Sequence, residues 1–145
     1  MSETLQEVPN PVESWAQSEQ FFANGELLRA YDFASKTYTE ARRLLPETAD
    51  HLRSPLIDLF AAAAIRCCEL TPHVGFSSAI CRIWIDESTA VIRNYSSWSI
   101  ENIDAIYEAG YRAMDEFRRR RQLGAEAITR QNIWREVQQQ LFNEA

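Results

Sequence analysis

Residues 14–46 constrain the fold more than any other part of the chain. Two amphipathic segments are separated by Asn24-Gly25, and the second is followed by Pro46. Glycine supplies the backbone freedom that a tight turn needs. Apolar residues of the second segment recur at alternating steps of four and three, which places them on one helix face; they are Leu27, Tyr31, Ala34, Tyr38, Ala41 and Leu45. The pattern predicts a helical hairpin.

The apolar residues in the rest of the chain also recur with the period of a helix rather than a strand. A nearly all-apolar segment follows Ser54 and Pro55, a capping residue and a proline typical of helix starts, and it ends at Thr71-Pro72. Gly124 separates the last two segments. The six predicted helices span about residues 12–23, 26–45, 55–70, 76–94, 100–122 and 126–142. We therefore expect an all-α fold, either a helical bundle or a short array of helical hairpins.

The length of 145 residues suits one domain. We expect a single all-helical domain over residues 12–145, preceded by a disordered acidic tail, residues 1–11, that lacks the features of a signal peptide. The longest near-apolar run, residues 55–70, carries three charged residues and is too short to span a membrane. A formal net charge of −6 disfavours nucleic acid and anionic membranes as partners. These features predict a cytoplasmic protein.

The sequence gives little material for a metal or redox centre. The three cysteines are Cys67, Cys68 and Cys81, an odd number with two adjacent members, and all lie in apolar surroundings. Such thiols are typical of core residues in a reducing compartment. The two histidines are far apart, and neither has the spacing of a metal-binding pair. We predict no metal and no cofactor.

The hairpin resembles a tetratricopeptide-type repeat. An aromatic residue late in the first helix, a glycine in the turn and a small residue deep in the second helix match that pattern at Phe21, Gly25 and Ala30. The sequence departs from it at Gln17 and Ser18, where leucine and glycine are usual. The resemblance implies a protein-binding adaptor whose inner-face side chains grip a partner; Arg29, Asp32, Lys36, Arg42 and Arg43 are the candidates.

Tryptophan and arginine are the residues that most often anchor protein interfaces. Trp15 lies near the acidic tail and Trp98 in a serine-rich break, so we expect both to be partly exposed. The basic run that begins with Arg118 and Arg119 ends a predicted helix and is suited to contact with a protein partner. Apolar stripes on the two C-terminal helices, including Ile133, Trp134, Val137 and Leu141, favour self-association as a homodimer. The predicted partner-binding residues are Trp15, Arg29, Arg42, Arg43, Trp98, Arg118 and Arg119.

Two functions remain open from the sequence. The first is a non-enzymatic interaction module, either an adaptor or a subunit of an assembly. The second rests on Arg66 and His73 in the segment RCCELTPH, which resembles the Arg-x(4–6)-His motif of the HEPN family of small helical ribonucleases. That resemblance implies that Arg66 would polarise a phosphate and His73 would transfer a proton, or that the chain is an inactive relative.

Overall fold

The fold is all-α, as predicted. The computed structural model describes residues 10–95 and 98–143, and within them there are five α-helices and no strand. The helices are α1 (Pro11–Ala23), α2 (Leu27–Leu44), α3 (Asp50–Leu70), α4 (Ser78–Arg93) and α5 (Ile100–Asn143). Short 3₁₀ turns, Leu45–Glu47 and Thr71–His73, follow α2 and α3. None of the described helices combines the length and the apolar character needed to cross a membrane.

The chain divides into two compact units, Met1–Ala113 and Met114–Ala145. The first unit contains α1 to α4 and the first part of α5, and the second contains the remainder of α5. The single domain expected over residues 12–145 stays a prediction. The predicted tail lies outside the described residues except for Asn10 and Pro11, which begin the first helix.

Helices α1 and α2 form the predicted hairpin. The Asn10 side chain caps α1 by accepting a hydrogen bond from the Val12 amide at 2.9 Å. Gly25 has a φ of +76°, a conformation that favours glycine, and this allows the turn. Between the two helices, the buried Ser18 hydroxyl donates to the Ala30 carbonyl at 2.8 Å. At position 18, where the repeat pattern usually has glycine, this chain therefore has a serine that links the two helices by a buried hydrogen bond.

Helix α3 is central in the first unit, as its apolar sequence predicts. Phe60 is fully buried and stacks on Tyr38 of α2, with ring centroids 4.4 Å apart. Small residues on α3 allow neighbouring helices to approach closely, and Ala61, Ala63 and Ala64 are all buried. The same core includes Leu45, Ile57, Ile92, Ile103 and Ile106. Burial of each large side chain contributes about 1.5–3 kcal/mol, so this core holds α2 to α5 together within the first unit.

Two predicted helix boundaries are wrong. Helix α3 begins at Asp50 and Pro55 lies inside it, where proline removes only one backbone hydrogen bond near the helix start. Helix α5 continues through Gly124, so the structure has one helix where the sequence predicted two. A single glycine costs about 1 kcal/mol in a helix, which good helix formers on both sides offset. The predicted ends at Pro46 and at Thr71-Pro72 are confirmed.

Candidate interaction surfaces

From residue 118 to residue 142, the second unit is a helix whose side chains face solvent. Every residue from 118 to 142 is exposed, and Trp134 retains 61% of its accessible surface. The large apolar side chains among them are Leu123, Ile128, Ile133, Trp134, Val137, Leu141 and Phe142. Helices in water gain most of their stability from packing an apolar face against another element. This segment has the composition of a packed helix with its apolar face uncovered.

Four of these apolar residues form a regular stripe together with Ala127 and Arg130. Starting at residue 123 they advance by four, three, four, three and four, the spacing with which two helices pack side by side. We define the C-terminal seam as Leu123, Ala127, Arg130, Trp134, Val137 and Leu141. Ile133 flanks the seam, and Asn132 and Gln139 lie on the opposite face of the helix. Three of the four residues predicted as a stripe therefore belong to a longer, more regular surface.

A smaller concave surface lies between α2 and α4. Its cavity is about 240 Å³ in volume and is lined by Tyr31, Tyr38, Thr39, Ile80, Ile83, Trp84 and Glu87. The Trp84 indole nitrogen donates to the Tyr31 hydroxyl at 2.8 Å. Trp84 also meets Tyr38 edge to face, with ring centroids 4.8 Å apart. These contacts fix the walls of what we call the aromatic groove.

One end of the aromatic groove is polar. The Tyr38 hydroxyl donates to a carboxylate oxygen of Glu87 at 2.9 Å, and Arg42 donates to the same oxygen. Burial, followed by the hydrogen bond to Glu87, raises the pKa of Tyr38. Burial also raises the pKa of Tyr31 to about 12. Arg42, predicted to bind a partner, thus joins α2 to α4 at the rim of the groove.

Arg66 is held between two aromatic rings. Its guanidinium carbon lies 4.6 Å from the centroid of the Trp15 ring and 4.3 Å from that of Phe22. Nη2 pairs with Glu19 at 2.8 Å, and Nη1 donates to Ser18 at 3.4 Å. Only 14% of the Arg66 side chain is exposed. These contacts clamp α3 to α1.

His73, the residue proposed to act with Arg66, lies beyond the end of α3. His73 is exposed and ends the 3₁₀ turn after α3. The contacts of the Arg66 guanidinium described above are all with α1. The ribonuclease hypothesis therefore stays a prediction, and the arginine on which it depends has a structural role in the first unit.

The remaining predicted arginines pair with acidic residues three positions earlier in the chain. Arg29 lies 3.8 Å from Glu26, Arg43 3.0 Å from Glu40, Arg118 3.2 Å from Asp115 and Arg119 2.9 Å from Glu116. The hydrogen bonds from Arg119 and then Arg120 lower the pKa of Glu116 to about 2. Exposed pairs of this kind contribute only about 0–1 kcal/mol. The pairs of Arg118 and Arg119 offset part of the positive charge of the basic run.

Both tryptophans expected to be partly exposed are so. Trp98 retains 46% of its accessible surface, and Trp15 is half-buried beneath Arg66. Trp15 therefore belongs to the clamp, because one face of its ring is covered by the guanidinium. Trp98 lies in the connection between α4 and α5, on the surface of the first unit.

The three cysteines are buried and form no disulfide, as their sequence context predicts. Burial raises the pKa of the Cys67 thiol, which keeps it protonated and unreactive. Among residues 10–95 and 98–143, no group of three or more histidine, cysteine, aspartate or glutamate side chains is placed to hold a metal ion.

Neither the aromatic groove nor the full extent of the C-terminal seam was predicted from the sequence. The groove had a partial signal, because Tyr31 and Tyr38 lie seven residues apart on the predicted stripe of α2. The partner side chains on α4 could not be assigned without knowing which helices pack together. The seam was hidden by the predicted break at Gly124, which removed Leu123 from the pattern.

No protein-family model, curated protein or solved structure matches this chain.

Proposed function

We propose that the protein is a non-enzymatic association subunit that binds protein through the C-terminal seam. One observation carries the proposal: the side chains of residues 118–142 are all exposed, yet they include apolar residues spaced for helix pairing. Burial of a large apolar side chain contributes about 1.5–3 kcal/mol. Covering Leu123, Trp134 and Leu141 therefore gives a partner helix a substantial driving force.

The first unit supports an additional adaptor role. The aromatic groove is lined by α2, the second helix of the hairpin that resembles a tetratricopeptide-type repeat. Its volume suits one apolar side chain of a bound segment, and Arg42 and Glu87 provide charged groups at its rim. Exposed Trp98 is a further contact of the kind that anchors interfaces. A protein partner agrees with the charge of −6 better than nucleic acid does.

The compartment that suits this function is the cytoplasm. Three buried thiols without a disulfide fit a reducing environment, because oxidising compartments favour paired cysteines. A ribonuclease function would require Arg66 to leave its two aromatic rings and Glu19 in order to reach a phosphate. The non-enzymatic function is preferred because it uses surfaces that are already exposed.

Site-specific photo-crosslinking in the native cells tests the proposal. A benzoylphenylalanine residue in place of Val137 lies on the seam, whereas the same residue in place of Asn132 lies on the opposite face. We expect crosslinked protein from position 137 and little from position 132. Equal crosslinking from both positions, or none from either, would overturn the proposal. The experiment does not depend on which protein occupies the seam.

A further inference from the structure

We infer that the occupant of the C-terminal seam is the same seam of a second copy of this chain, running antiparallel. This inference rests on the proposed function and names its partner. The seam is symmetric about position 132, since its members lie two, five and nine residues to either side of that position. An antiparallel copy therefore places Leu123 against Leu141, Ala127 against Val137, and Arg130 against Trp134.

Charge decides the orientation of the pair. A parallel copy in register would bring Arg130 against Arg130 within a seam that otherwise excludes water, and like charges repel strongly there. The antiparallel copy instead places each Arg130 guanidinium over the Trp134 ring of the other chain, a favourable cation–π geometry. The first unit contains the same kind of contact, in which Arg66 lies 4.6 Å from the centroid of Trp15.

Side-chain size agrees with the antiparallel register. Ala127 is the smallest member of the seam and would face the branched Val137, while the two leucines would close both ends of the interface. Ile133 is one residue from position 132, so its two copies would lie on the same flank with an offset of only about 3 Å along the helix. Ile133 would therefore meet Ile133 of the other copy at the axis and widen the buried surface. Glu126 would lie near Gln140, so the flanks bring no like charges together.

Disulfide crosslinking distinguishes the two orientations. Leu123→Cys and Leu141→Cys are made in separate chains that keep the three buried native thiols. Positions 123 and 141 lie about 27 Å apart along one helix, whereas a disulfide requires Cα atoms within about 7 Å. We expect no crosslinked dimer from either variant alone. An equal mixture of the two should give a dimer that contains one chain of each variant.

The pattern of crosslinked dimers distinguishes the antiparallel pair from a parallel pair and from no self-pairing. A crosslinked dimer from Leu123→Cys alone would overturn the antiparallel orientation. No dimer from the mixture, nor from the milder pair Ala127→Cys and Val137→Cys, would overturn self-pairing of the seam. If photo-crosslinking from position 137 then captured a different protein, the proposed function would stand without this inference. Asn132→Cys on the opposite face is the control for random collision.

The predicted contacts between Arg130 and Trp134 can be tested by substitution. Arg130→Ala removes both Arg130–Trp134 contacts of the dimer, and we expect the dissociation constant to rise about 30-fold. Gln139→Ala, on the opposite face of the same helix, should leave it unchanged. A dissociation constant that is unchanged or lower in Arg130→Ala would contradict the register, because only a parallel pair is relieved by loss of this charge.

Discussion

The contacts of Arg66 with α1 allow us to predict how much stability Arg66→Ala loses. The side chain stacks on two rings at 4.6 and 4.3 Å, and it pairs with Glu19 at 2.8 Å while remaining only 14% exposed. Each cation–π contact contributes about 1 kcal/mol at a partly buried site. The half-exposed ion pair adds about 0.5 kcal/mol. We therefore expect a loss of about 2–3 kcal/mol in the free energy of unfolding.

Urea denaturation followed by circular dichroism, at one fixed protein concentration, measures this loss. A suitable control is Arg112→Ala, because Arg112 also pairs across helices, with Glu69 of α3, but is 59% exposed; it should cost at most about 1 kcal/mol. A double-mutant cycle with Trp15→Leu should give a coupling of about 1 kcal/mol. If Arg66→Ala cost no more than Arg112→Ala, the stacking would be refuted and Arg66 would be available for a ligand.

Three further predictions follow from the first unit. Because burial raises the pKa of Tyr31 from 10.0 to about 12, the stability contributed by its neutral hydroxyl is complete below pH 10 and is lost towards pH 12. Between about pH 9 and pH 11, urea melts should therefore show a loss of stability about 1 kcal/mol smaller in Tyr31→Phe than in the native chain, and the loss due to Tyr38 should remain. A chromogenic thiol reagent should label none of the three buried cysteines in the native protein within minutes and all of them in denaturant, so rapid native labelling would contradict their burial. A fluorogenic RNA should remain intact in the presence of the protein; cleavage that both Arg66→Lys and His73→Ala abolish would instead establish the ribonuclease hypothesis.

Local patterns were sufficient to predict most of the fold. The stripe on α2, the positive φ of Gly25 and the stop at Pro46 are each set by neighbouring residues, and the structure has all three features. The boundary errors at Pro55 and Gly124 arise because each residue opposes helix formation by a limited amount. Extended runs of helix-forming residues outweigh that cost.

Features that join distant parts of the chain could not be predicted in the same way. Arg66 meets Trp15 and Glu19 across about 50 residues of sequence, and Glu87 meets Tyr38 across 49. The apolar pattern of a helix shows which face is buried but does not show which other helix packs against that face. For the same reason, Trp15 was predicted as a partner contact, whereas its ring is largely engaged by the guanidinium of its own chain.

The absolute mass of the full chain in solution, measured by light scattering from low to high micromolar concentration, tests self-association through the seam most directly. We predict a mass that rises to twice the 16.8 kDa of one chain. The double variant Trp134→Ala with Leu141→Ala should remain at the mass of one chain, and the matched pair Asn132→Ala with Gln139→Ala should still dimerise. A mass of 16.8 kDa for the native chain at every concentration, or a dimer that survives loss of Trp134 and Leu141, would contradict this model of assembly.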